Sequence, residues 1–142
     1  MYMASIFIIK SKMVDPKEWY DKEMGNDIPW NYDERLKAYR AGEICLSVKN
    51  KGVCFEDLSQ TEFFGWDTNS WIELSQGNEL LYGYYDDDNL EAEFVHIKQG
   101  KCIREYREYG GEVETDEGDT PEFEHCMDVA KFVDEEMLSY IE

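Results

Sequence analysis

Short runs rich in apolar, β-branched and aromatic residues, bounded by turn residues, predict β-strands along much of the chain. The clearest part is a meander of three predicted strands at about 79–86, 91–98 and 101–109. The run Asp86-Asp87-Asp88-Asn89 separates the first two strands, because Asp and Asn favour turns. Gln99-Gly100 forms the next hairpin turn. This meander predicts an antiparallel sheet.

A two-residue turn at Gln99-Gly100 also predicts the register of that hairpin. Val95 and Ile97 share one face of their strand, and Phe94 and His96 share the other. We expect Tyr106 and Tyr109 on the open face of the sheet. The expected cross-strand pairs are Phe94 with Glu105, Val95 with Arg104, and Ile97 with Cys102.

The first 55 residues combine strand and helix signals. The apolar run from Ser5 to Lys10 is typical of a buried strand, since it is too short for a helix. Asp15 precedes Pro16 and stands three residues before Glu18, which predicts the cap of a helix that ends near Gly25. A second predicted helix spans Tyr32 to Arg40, with Leu36 and Tyr39 inward, and ends at Gly42. Predicted strands follow at Glu43–Lys49 and Val53–Phe55, with Asn50-Lys51-Gly52 as their turn.

The segment from Asp57 to Gly77 has two signals of helix starts. Ser59 with Glu62, and Ser70 with Glu73, resemble capping boxes. They predict two short helical turns, and a strand from Trp71 to Leu74 is an open alternative. The residues expected to pack inward are Phe63, Phe64, Trp66, Trp71 and Leu74.

The C-terminal region predicts an acidic loop at 112–119 and then a helix. Thr120 is the expected cap and Pro121 the first helical residue. An apolar stripe at helical spacing follows, formed by Phe123, Cys126, Ala130, Val133, Met137 and Ile141. Residues 1–142 are therefore expected to form a single α+β domain: a mostly antiparallel sheet with an N-terminal helical region and a C-terminal helix.

Charge is distributed unevenly along the chain. The 142 residues include 33 acids and 14 bases, which gives a formal net charge of −19. The first 50 residues are neutral, so the whole negative excess follows them. Attraction to nucleic-acid backbone or to an anionic membrane needs clustered Lys and Arg, so neither is an expected partner. A strongly acidic surface favours association with a basic protein.

Motifs for catalysis or cofactors are weak. Cys45, Cys54, Cys102 and Cys126 lack the close pairing of a structural zinc site, and free buried thiols are favoured over disulfides. The acidic runs lack the order of a calcium loop. His125 and Cys126 diverge on a helix and do not pair directly. We therefore expect no catalytic residue, metal site or cofactor.

Part of the chain resembles a known class of proteins. Ser70-Trp71-Ile72-Glu73-Leu74-Ser75 and the hairpin from Ile97 to Tyr106, within about residues 70–110, are similar to small acidic bacterial immunity proteins of polymorphic and contact-dependent toxin systems. Such proteins share no catalytic motif, so the resemblance transfers no functional residue. It implies a protein that binds a cognate toxin in the cytosol and blocks its active site.

The resulting hypothesis is a non-catalytic cytoplasmic binding protein for a basic partner such as a toxin nuclease. The alternatives are a small hydrolase-type enzyme with carboxylate, His96 or His125 chemistry, and a housekeeping domain. The N-terminus shows neither a secretory signal nor a membrane span. The predicted binding centre is Asp86, Asp87 and Asp88 with Tyr84 and Tyr85, and its rim is Glu112, Glu114, Asp116, Glu117 and Asp119.

Overall fold

The apolar run near the N-terminus forms the central strand of the sheet. In the computed structural model, which describes residues 3–142, β1 (Met3–Lys10) pairs antiparallel with β5 (Val53–Asp57) and with β6 (Glu79–Asp86). Ile6 and Ile8 are buried on one face and Phe7 and Ile9 on the other. Burial on both faces requires apolar residues at successive positions, which explains the uninterrupted run.

The remaining strands extend from β1 as two meanders, one on each side. Within residues 3–142 the sheet has nine strands in the order β2-β3-β4-β5-β1-β6-β7-β8-β9. The strands not yet given are β2 (Asn31–Asp33), β3 (Ala38–Ala41), β4 (Ile44–Val48), β7 (Glu91–Lys98), β8 (Lys101–Tyr109) and β9 (Glu112–Glu117).

Helices cover both faces of this sheet. On one face, α1 (Pro16–Met24) and α2 (Thr68–Ser75) pack over a core rich in aromatic rings, in which Trp71 stacks on Tyr82 at 4.3 Å between ring centres. On the other face lie α3 (Cys126–Glu135) and a 3₁₀ helix, Met137–Tyr140. The α+β prediction is confirmed, including the N-terminal and C-terminal helices and the meander. Within the described part of the chain, no helix combines the length and apolar character needed to cross a membrane.

The register of the β7–β8 hairpin is only partly as predicted. Ile97 lies opposite Cys102 as expected, but the pairing shifts by one residue there, so Val95 faces Glu105 and Phe94 faces Tyr106. This bulge places Tyr106 beneath α3, where it is fully buried. The prediction that Tyr106 and Tyr109 lie on the open face of the sheet is therefore wrong for Tyr106. Tyr109 is half-buried.

The predicted helix over Tyr32–Arg40 is wrong, because this segment is the β2–β3 hairpin. The Asp33 carboxylate accepts hydrogen bonds from the backbone N–H groups of Arg35 (2.9 Å) and Leu36 (3.3 Å). Such side-chain bonds favour a turn over a helix. Leu36 and Tyr39, expected in the core, are exposed.

Only the second of the two helical turns expected between residues 57 and 77 is present. It is α2, whose cap is Asp67 rather than a Ser70 capping box, and the strand alternative is wrong. The preceding loop is organised by the buried Asp57 carboxylate, which accepts from the backbone N–H groups of Ser59 and Glu62. Of the expected core residues, Phe63, Trp71 and Leu74 are buried, Trp66 is half-buried and Phe64 is exposed.

The C-terminal boundaries also differ from the prediction. The expected acidic loop is mostly strand β9, since backbone pairing with β8 orders it. The last helix begins at Cys126 with His125 as its cap, not at Thr120 and Pro121. The predicted burial of the apolar stripe is confirmed for Phe123, Cys126, Ala130, Val133, Met137 and Ile141. Its placement on a single helix is wrong, because Phe123 precedes α3, Met137 lies in the 3₁₀ helix and Ile141 follows that helix.

Candidate functional site

The three predicted central acids occupy the turn between β6 and β7, but they differ in role. Asp86 is buried, and its carboxylate accepts from the backbone N–H groups of Asp88 (3.0 Å) and Asn89 (3.3 Å) and from the Asn89 side-chain amide (2.7 Å). Asp87 is half-buried and Asp88 is exposed. Asp86 therefore shapes the turn, while Asp88 presents charge to solvent.

One carboxylate oxygen from each of Asp86, Asp87 and Asp88 lies within 4.8 Å of the others. Exposed acids often have this arrangement without binding an ion. The turn is therefore a concentration of negative charge, and proximity alone does not make it a metal centre.

Tyr84 and Tyr85 do not flank this turn as surface anchors. Both are 4% exposed, and they lie on opposite faces of the sheet. The Tyr84 hydroxyl donates to Glu91 at 3.0 Å and the Tyr85 hydroxyl donates to Asp134 at 2.7 Å. Because a buried ring adds little area to a surface, the expected mixture of turn acids with these two aromatic anchors is not formed.

The predicted rim is an ordered strand at the edge of the sheet. Glu112, Glu114, Asp116 and Glu117 belong to β9, and Asp119 follows it; all five are exposed. Below, these five residues are called the acidic edge. The Gly111 N–H donates to the Leu90 carbonyl at 3.0 Å, which places the start of β9 beside the β6–β7 turn. Six strand residues span about 20 Å, so the far end of the acidic edge lies well away from that turn.

A buried arginine holds the far end of the acidic edge in place. Arg104 is 2% exposed, and its guanidinium donates to the Asp116 carboxylate (2.8 Å) and to the carbonyls of Glu117 (2.8 Å) and Pro121 (2.7 Å). A Cβ at Gly118, whose φ is +91°, would lie 2.3 Å from the Ile103 carbonyl. The chain therefore needs glycine where it leaves β9 and turns onto the α3 face.

The acidic surface continues from this turn toward α3. Two shallow clefts meet at Glu122 and Phe123. Their charged lining has two bases, Lys131 and Arg104, and seven carboxylates, namely Asp116, Asp119, Glu122, Glu124, Asp128, Glu135 and Glu136. This side of the molecule therefore carries negative charge both on the sheet edge and on the helix.

Sequence reasoning missed a buried polar network on the α2 face. Glu93 is fully buried and accepts from the Tyr82 hydroxyl (2.7 Å), the Tyr109 hydroxyl, the Gly65 N–H (3.1 Å) and the Arg107 guanidinium (3.2 Å). Burial and the neighbouring Glu93 raise the pKa of Tyr82 well above its usual value and that of Tyr109 to about 12. The phenols stay protonated and donate to the carboxylate.

Arg107 also donates to Glu105 at 2.8 Å and to the Trp66 carbonyl at 3.0 Å. The network therefore ties the loop before α2 to β7 and β8. In the sequence, the sign of this network is Glu93 standing between the apolar residues Ala92 and Phe94. Its members come from four separate segments, so local spacing does not bring them together.

The histidines and cysteines considered for catalysis occupy separate structural positions. His96 bonds Glu79 at 2.6 Å and lies against the Tyr140 ring, whereas His125 accepts from the Met127 N–H and caps α3. All four cysteines are free. Burial raises the pKa of each thiol, to about 12 for Cys54, which disfavours the nucleophilic thiolate.

Comparisons with protein-family models, with curated proteins and with solved structures find no match for this chain. The resemblance of residues 70–110 to immunity proteins therefore stays a prediction.

Proposed function

We propose that the protein is a non-catalytic, immunity-like binding protein that neutralises a basic partner protein, such as a toxin nuclease, in the cytosol. The observation that supports this proposal is the acidic edge, which presents four exposed carboxylates along one ordered strand and a fifth, Asp119, just after it; of these, Asp116 is paired with Arg104. A nuclease cleft is basic because it attracts phosphates, so it also attracts a row of carboxylates.

Order in the acidic edge strengthens this argument. Exposed charges on mobile side chains contribute little individually, but a strand held on one side by β8 and at its end by Arg104 loses little backbone freedom on binding. The turn acids Asp87 and Asp88 extend the surface at the near end of the strand. Long-range attraction then increases the association rate, and salt reduces it.

The test starts with capture of a partner and ends with neutralisation. The immobilised protein is incubated with a lysate of its source organism at low salt, and bound proteins are eluted with about 0.5 M NaCl, which screens exposed charges. We expect a basic protein that arrests growth when it is expressed alone. Co-expression of this chain should restore growth, and a gene for a large toxin next to this gene would identify the same partner independently.

Two charge variants serve as a matched pair in this test. Glu112→Gln with Glu114→Gln removes two charges from the acidic edge, and Glu23→Gln with Glu34→Gln removes two exposed charges elsewhere. The first variant should associate about tenfold more slowly at low salt and with a weaker salt dependence, and the second should match the wild type. Failure of co-expression to restore growth, or equal slowing by both variants, would contradict the proposal.

A further inference from the structure

The outer side of β9 is an open strand edge. β8 lies on one side of β9, and within residues 3–142 no strand lies on the other. In an antiparallel edge strand, alternate residues direct their N–H and C=O groups away from the sheet. After Glu117 the chain does not fold back over this edge, because Gly118 turns it toward Pro121 and α3. The backbone groups of β9 therefore remain open to a further strand.

The opposite edge of the sheet is a poorer template. β2 has only three residues, Asn31–Asp33, and Pro29 lies just before it. Very short edge strands and nearby proline are common ways of preventing strand addition. β9 is twice as long and contains no proline, and its pairing with β8 is regular on both sides of a single bulge at Glu114. Any strand addition to this sheet is therefore expected at β9.

Charge determines which strand the edge accepts. A second copy of β9 would place carboxylates beside carboxylates, and like charges on neighbouring strands are destabilising. A segment rich in Lys and Arg would instead place opposite charges side by side, because residues 112–119 contain five acids and no base. Opposite charges on neighbouring strands stabilise their pairing. Glu112 and Glu117 pair with β8 residues on the α2 face, and Asp116 pairs on the α3 face, so both faces of an added strand meet negative charge.

We propose that β9 binds an extended Lys- and Arg-rich segment of the partner protein as a tenth strand of the sheet. This inference rests on the proposed function and adds the mode of recognition. Backbone hydrogen bonds along β9 supply the orientation, and the acidic edge selects basic side chains. Strand addition of this kind requires little rearrangement, because β9 is already held by β8 and Arg104.

The test separates strand addition from simple charge attraction by using two peptides of equal charge. Acetyl-(Lys-Thr)4-amide forms an extended strand with backbone donors, whereas acetyl-(N-methyl-Lys-Pro)4-amide, called the Lys-Pro peptide, has the same number of lysine charges but no backbone N–H group in any of its residues. Amide hydrogen exchange of the full chain is followed residue by residue with each peptide. At ten times its Kd, the Lys-Thr peptide should slow exchange about tenfold at alternate β9 residues. The Lys-Pro peptide should leave these amides unchanged.

A charge variant completes the design. Glu112→Lys with Glu114→Lys should abolish the protection, and Glu23→Lys with Glu34→Lys, which changes the net charge equally, should preserve it. Equal protection by both peptides, protection outside β9, or no protection by the Lys-Thr peptide would overturn strand addition. Those outcomes would leave the proposed neutralisation of a basic partner untouched, because that proposal is tested separately by the recovery of growth on co-expression. Failure of the binding mode is therefore distinguishable from failure of the proposed function.

Discussion

At the scale of single residues, the acids of this protein divide into those that hold the structure and those that face solvent. Asp86 and Asp57 accept several backbone hydrogen bonds, and Glu93 receives four donors in the core. Glu112 and Glu114 are exposed. The formal net charge counts all of these acids alike, so it overstates the negative charge that the surface of the protein presents.

Asp86 and Asp88 provide a direct comparison of the two roles. Asp86→Ala should lower the free energy of unfolding by about 2 kcal/mol, because hydrogen bonds to a charged acceptor are lost and turn amides become unpaired. Asp88→Ala should change it by less than about 0.5 kcal/mol, since its side chain is exposed. Denaturation with urea measures both. Equal effects would mean that Asp86 does not organise the turn.

The buried pair of Glu93 and Arg107 should behave as a unit. Arg107→Met leaves a buried carboxylate without its cation, and we expect a loss of about 3–5 kcal/mol of unfolding free energy. Adding Glu93→Gln removes that charge and should restore part of the loss. A double variant whose loss equals the sum of the two single losses would show that the pair is not coupled.

Glu56 should make stability depend on pH. Burial, and next the negative charges of Asp134 and Asp57, raise the pKa of the Glu56 carboxyl in the folded state. The stability that Glu56 contributes to the fold is therefore fully present below the pKa that this carboxyl has in the unfolded chain. It is lost as the pH rises through the higher pKa of the folded state. Glu56→Gln should be more stable than the wild type at pH 7, and the difference should shrink to zero in acid. Thermal unfolding from pH 3 to 8 measures this, with the exposed Glu124→Gln as the control.

At the scale of elements, the docking of α3 depends on one glycine in β6. A Cβ on Gly83 would lie 2.4 Å from Cγ2 of Val133 and 3.5 Å from the Met137 sulfur. Gly83→Ala should lower the free energy of unfolding by about 1–3 kcal/mol through overpacking. Val133→Ala makes room for the new methyl group. It should therefore lower the free energy of unfolding less in the Gly83→Ala variant than in the wild type. Equal costs in both backgrounds would place the strain elsewhere.

The elements also show why local patterns succeed in some segments and fail in others. β6, β7 and β8 have the predicted bounds. The nearly continuous buried positions of β6 and β7 fit strands covered on both faces, and the alternating burial of β8 fits a strand covered more on one face. The Tyr32–Arg40 segment has helix-like spacing, but the Asp33 turn and pairing with β4 outweigh it. β9 was expected to be a loop because its composition is polar, whereas its pairing with β8 makes it a strand.

At the scale of the whole molecule, a net charge of −19 should reduce stability through self-repulsion. Raising NaCl from about 20 mM to 500 mM shortens the distance over which the carboxylates repel one another. If this weakens their repulsion by about 1–2 kcal/mol, the midpoint temperature of thermal unfolding should rise by roughly 3–8 °C. NaCl is preferred to sulfate, which strengthens apolar burial by itself. A midpoint that does not change with NaCl would indicate that the carboxylates are already compensated within the fold.

What the sequence determined by itself is local or additive. Helix α1 follows from the Asp15 cap and Pro16, the central strand from a run of apolar residues, the stripe of α3 from its spacing, and the charge imbalance from counting. Each of these depends on residues close in the chain, where propensity and capping act.

Only the tertiary structure decided which charged and aromatic groups reach the surface. Tyr84 and Tyr85 are buried because helices cover both faces of the sheet, and Arg104 becomes a buried anchor because a bulge turns it toward Phe123 and Asp116. The acidic edge likewise exists only because β9 pairs with β8 and nothing else in residues 3–142 pairs with β9. The physical reason is that burial and strand pairing depend on partners distant in the chain, which periodicity does not encode.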